Sequence, residues 1–159
     1  MLNRTLALAL VAAAPLPAAA QSALPTPVET QTLRELDAWT VGALSRGNGA
    51  FAPDLWSNSE PGLLATLFDK LPANYESPAM RGLARRVLLS SGEAPRGDAR
   101  LAGQKRFEAL GRMGAADELS VMAAGAGRDA ADPLIAQYGA QAELARGRRP
   151  DACARGRGA

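Results

Sequence analysis

Residues 59–71, Ser59-Glu60-Pro61-Gly62-Leu63-Leu64-Ala65-Thr66-Leu67-Phe68-Asp69-Lys70-Leu71, decide the fold class. Leu63, Leu64, Leu67, Phe68 and Leu71 recur at the i, i+3, i+4 spacing that lays one apolar stripe along a helix. Ser59 reads as the cap. Pro61 sits in the first turn, where a missing N–H costs nothing. Pro72 lies just past the end.

The same grammar repeats downstream. Ser77-Pro78 opens a second helix with the apolar face Met80, Leu83, Ala84, Val87 and Leu88, closed by Gly92 and Pro95. A third opens at Asp98. Leu101, Lys105, Ala109 and Leu110 trace its stripe, Phe107 flanks it, and Gly111 stands as its stop. A short fourth helix is expected over 115–124, with Leu119, Val121 and Met122. Asp132-Pro133 starts a fifth, carrying Leu134, Ile135, Tyr138, Ala142 and Ala145 to an end near Gly147. Pro150 and Asp151 offer a sixth start, but the arginine-rich remainder does not finish an amphipathic helix, and 154–159 reads as a disordered basic tail.

Upstream the signal weakens. Residues 45–58 read as a loop whose Phe51, Leu55 and Trp56 pin it to a core. Leu33, Leu36, Val41 and Leu44 trace a weak helix over 29–44, so 29–58 is an irregular segment. Residues 21–28 form a flexible, proline-containing leader. Residues 1–20 read as an export signal: Arg4, an apolar run from Leu6 to Ala14, then Ala18-Ala19-Ala20 before cleavage near Ala20. The apolar run is too short, and too soon followed by Pro15 and Pro17, for a spanning helix. No stretch alternates as a strand does. The expected fold is all-α, built of antiparallel helical hairpins, with the hairpin domain over 59–153.

Composition narrows the chemistry. The chain has 159 residues, no histidine, one cysteine and a net charge of +2. The missing histidine removes Ser-His-Asp and Cys-His catalysis and imidazole-liganded zinc. A lone Cys153 closes no internal disulfide. Net charge near zero argues against a dedicated nucleic-acid binder. The carboxylate pairs Glu35/Asp37, Asp117/Glu118 and Asp129/Asp132 read as surface charges or caps, because acid–base work needs two carboxyls in one pocket with separated pKa values. Ser90-Ser91-Gly92 lacks the Gly-x-Ser-x-Gly of a nucleophile elbow. Gly47-Asn48-Gly49 and Gly125-Ala126-Gly127 lack the Lys-Ser/Thr of a phosphate loop. No catalytic, cofactor or metal residue is assigned. Arg81, Arg85 and Arg86 share one helix, and Arg146, Arg148 and Arg149 cluster near the tail, offering at most a weak contact to an anionic surface.

Ala109-Leu110-Gly111-Arg112 and Ala145-Arg146-Gly147-Arg148 match at an offset of 36, each glycine followed five residues later by an alanine, Ala116 and Ala152. Helix, glycine turn, second helix is the unit of an α-solenoid. With LRELDAWTVGAL (33–44), FAPDLWSNSEPGLLATLF (51–68) and SPAMRGLARRVLLSSGEAPRG (77–97), this resembles a tetratricopeptide-type helical repeat. It also resembles the N-terminal part of larger exported bacterial proteins of that kind. The Leu-Gly-x-x-Tyr core and closing proline of the tetratricopeptide signature are only partly filled. Two repeat pairs and an unfinished third fit a truncated or frame-shifted piece of a longer protein, or a short chain with a basic tail.

The resemblance implies a non-enzymatic module that binds an envelope protein in the periplasm or outside the cell, with Leu63, Phe68, Leu83 and Val87 in the core. The alternatives are a cell-wall enzyme or its accessory domain, and a binder of anionic envelope polymer through the basic tail.

Overall fold

The computed structural model describes residues 35–157, and the structural statements here concern those residues. The expected export signal, the leader and the start of the irregular segment lie outside them. Six helices follow one another: α1 (Pro61–Lys70), α2 (Pro78–Leu89), α3 (Arg100–Arg112), α4 (Ala116–Gly125), α5 (Pro133–Ala145) and α6 (Arg149–Arg157). Among the described residues the only β-type pairing is an isolated bridge between Leu44 and Ser90. The chain is all-α.

Three helices begin on proline. The Ser77 and Asp132 side chains cap α2 and α5 as expected. The cap of α1 is Glu60 rather than Ser59, its carboxylate accepting from the Gly62 and Leu63 N–H groups at 2.8 and 2.5 Å. Proline at the first helical position makes its immediate neighbour the cap, and a glutamate can bend back to the same two donors.

Residues 35–44 are not the expected helix. Asp37 Oδ1 accepts from Trp39 N and Thr40 N, both at 2.8 Å, so a side-chain-closed turn replaces the helical ladder. The turn drops Trp39 into the core, where its ring meets Trp56 edge-on at 5.8 Å; Trp56 meets Phe68 edge-on at 5.5 Å. Trp56 thus pins the 45–58 loop, as its sequence implied.

α3 is the centre. α1 packs on α3, passing over its chain neighbour α2, while α4 and α6 both pack on α5. Core lines are narrower than the apolar runs. Phe68 is buried and Val87 partly so, but Leu63 and Leu83 are 56% and 43% exposed, contrary to their expected place in the core. On α3 the buried stripe is Ala102, Arg106, Phe107, Ala109 and Leu110. Leu101 faces outward, and Lys105 pairs with Asp69 and Glu108.

The internal repeat has a different register from the one read in the sequence. Each bound of α5 lies 33 residues after that of α3, and α6 starts 33 after α4. The turns match too. Gly114 and Gly147 have φ of 69° and 76°, and the following N–H groups, Ala115 and Arg148, reach back to Leu110 O and Glu143 O at 3.1 and 2.8 Å. This is one glycine-terminated helix stop used twice. Gly111 is not a stop. It lies inside α3, where a Cβ would sit 3.0 Å from the Tyr138 ring on α5. The expected disordered tail over 154–159 is helical as far as Arg157, because the turn at Gly147 lets α6 lay Ala152 against α5.

Candidate functional site

A cavity of about 270 Å³ opens where the N-terminal ends of α3 and α5 meet. Ala38 and Trp39 form one wall, Asp98 and Arg100 the α3 side, and Arg128, Asp129, Asp132 and Ile135 the α5 side. It brings together Asp129 and Asp132, one of the carboxylate pairs singled out above.

Each acid in it has structural work. Asp132 Oδ1 accepts from Leu134 N at 3.0 Å, and its carboxylate takes Arg100 Nε at 2.9 Å and Gln104 Nε2 at 2.8 Å. Burial pushes the Asp132 carboxyl up, but Arg100, Gln104 and the two backbone donors outweigh it and hold the group below the usual carboxylate range. That is the wrong direction for a general acid at neutral pH. Asp129 Oδ2 accepts from Ala38 N at 2.9 Å. Beside it, Arg128 N donates to Leu36 O at 3.1 Å. The cavity's polar groups thus bind the N-terminal segment to the helices.

Arg106 does the same from within. Fully buried, it donates Nε to Leu88 O, Nη1 to Ala38 O, and Nη2 to Ser90 O (each 2.7 Å) and to Val41 O at 3.2 Å. Two of these acceptors lie at the C-terminal end of α2, where carbonyls lack helical partners and the helix dipole favours a cation. Burial pulls the guanidinium down to about 9, against the pull of the Asp37 carboxylate, and leaves it charged at pH 7. An arginine at i+4 from Ala102 and i−4 from Leu110 is the sequence signal that marked it.

The other charged groups are paired. Glu143, 2% exposed, accepts from Ser120 Oγ at 2.7 Å and Arg148 Nε at 2.6 Å, with Arg155 Nη2 at 3.5 Å. Burial raises its carboxyl, and Ser120 and Arg148 more than offset that, keeping it below its ordinary value. Arg146 pairs with Asp117 at 2.7 Å, and Arg148 also lies 3.6 Å from Asp151. Of the tail arginines first noted, Arg146 and Arg148 are therefore partnered, while Arg149 is exposed. On α2, Arg81 donates to Tyr75 O, Arg85 pairs with Glu118, and Arg86 donates to Gly49 O while lying over the Phe51 ring. Glu35 lies 3.5 Å from Arg128. Ser90 Oγ donates to Arg86 O and accepts from Phe51 N. Cys153 is exposed.

No protein-family model matches this chain, and neither curated proteins nor solved structures gave a match to it. The reading of the site rests on its geometry. Sequence reasoning missed Arg106, because the stripe was anchored on Leu101, and Glu143, because a glutamate among alanines reads as solvated.

Proposed function

We propose that the chain is an exported, non-enzymatic helical-repeat module of tetratricopeptide-like architecture that binds a protein partner in the cell envelope. The observation that carries this reading is the recurrence of a helix, a glycine stop and a second helix at a spacing of 33 residues, close to the 34 of that repeat class. Leu101 and Leu134 occupy the same place in the two units and are both exposed, as are Val121 and Leu144. Apolar side chains repeated on an outer surface supply contact area for a partner. The carboxylates of the one acid-lined cavity are already engaged in holding the fold together, which favours binding over catalysis.

The test is capture by photo-crosslinking from a periplasmic extract, with the Leu101→Asp/Leu134→Asp variant as control. A partner captured by the native chain and lost by the variant supports the reading; no partner above background overturns it. Export is tested separately: N-terminal sequencing of the envelope fraction is expected to begin at Gln21, and detection only inside spheroplasts removes the envelope from the proposal.

A further inference from the structure

The repeat of 33 residues allows each contact made by the first unit to be sought in the second. Four positions of α3 and α4 carry the first unit's grip on α5. Gln104 Nε2 donates to the cap of α5, Asp132, at 2.8 Å. Gly111 leaves room for the Tyr138 ring. Ser120 donates to Glu143. Ala123 fits against Gly139, whose own Cβ would lie 2.8 Å from it. Gln104, Ser120 and Ala123 are buried.

Adding 33 gives Gln137, Leu144, Cys153 and Gly156 on α5 and α6. All four are exposed, Leu144 by 54%. A Cβ on Gly156 would meet nothing within 4 Å. Gln137 is the same residue as Gln104 and has no hydrogen-bond partner among the described residues. The donor that grips a helix cap in the first unit is present in the second without a cap to grip.

From this we infer that the outer face of α5 and α6 is a docking surface for one more helix of the α5 pattern. That helix carries an aspartate N-cap, with an aromatic residue and a glycine six and seven residues later, as Asp132, Tyr138 and Gly139 do. The aspartate receives the Gln137 amide, the ring lies on Leu144, and the glycine crosses at Gly156, covering Cys153. The inference rests on the repeat reading of the proposed function, but not on an envelope partner.

The test extends the full chain after Ala159 with a second copy of residues 127–159, which continues the 33-residue register. The copied cysteine is replaced by C153S, so that the native Cys153 is the only thiol. Alkylation of Cys153 by iodoacetamide is expected to slow by about tenfold or more, because a covered thiol reacts only when its cover opens. Gly139→Trp within the copy is expected to restore the original rate, and Gln137→Ala in the native part to restore it partially. An unchanged rate in the extended chain overturns the inference, whether or not the added residues gain helical circular dichroism. Slowed alkylation with no partner captured from envelope extract keeps this inference and removes the other.

Discussion

Arg106 joins three separate pieces of chain, since its four carbonyl partners belong to residues 38–41 and to the end of α2 while it stands on α3. Arg106→Ala strands those carbonyls in a dry core, and we expect it to cost about 3–5 kcal/mol in urea unfolding. Arg106→Lys keeps the charge but loses the fork, and should recover only part of that. Gly127→Ala should also cost a few kcal/mol on the same assay, about 1–3. Its φ is 53°, and an added Cβ would fall 2.1 Å from Leu36 O. Glu143 and Asp132 predict the response to acid. Both carboxyls are held below their ordinary values, so their contribution is complete above about pH 4–5, where the unfolded chain has also ionised. It is lost as pH falls through the lower folded values. Stability measured by denaturant titration should therefore decline from about pH 4 downward, and Glu143→Gln should flatten that decline. These residues were hard to read in the sequence for one reason. A charged side chain in an apolar stripe scores as surface, and only its partners, 16 to 68 residues away for Arg106, turn it into core.

The elements were the legible part. Proline at the first helical position and a capping side chain before it are local signals, and they located α1, α2 and α5 within a residue. Asp132→Ala removes the cap of α5 together with its links to Arg100 and Gln104, and a loss of about 2 kcal/mol is expected in thermal or urea unfolding. Gly82 offers the opposite case. It lies inside α2 with open space where a Cβ would go, so Gly82→Ala should stabilise by about 0.5–1 kcal/mol. Which side of each helix turns inward was less legible. Leu63, Leu83 and Leu101 fit a helical period as well as their buried neighbours do, and α1 finding α3 instead of α2 is a tertiary choice that no local period encodes. The repeat was visible in outline but misregistered, because Gly111 and Gly114 lie three residues apart and only a positive φ separates a close approach from a stop.

At the scale of the molecule, burial is uneven. The core gathers around α3 and the aromatic residues of α1 and the 35–58 segment, while α6 buries only Ala152. Amide exchange should be slow in α3 and fast in α6, and heating should reduce helical ellipticity gradually before the main transition. The absence of a helix in 35–44 follows from the same centre, since Trp39 can reach the core only if Asp37 ends the regular backbone there. Trp39 and Trp56, the two tryptophans of the chain, stand side by side in that centre. Indole emission is thus an optical probe of one end alone. Fraying at Arg149–Arg157 leaves it dark to a fluorimeter, and a melting curve recorded that way will overstate how long the whole polypeptide stays intact.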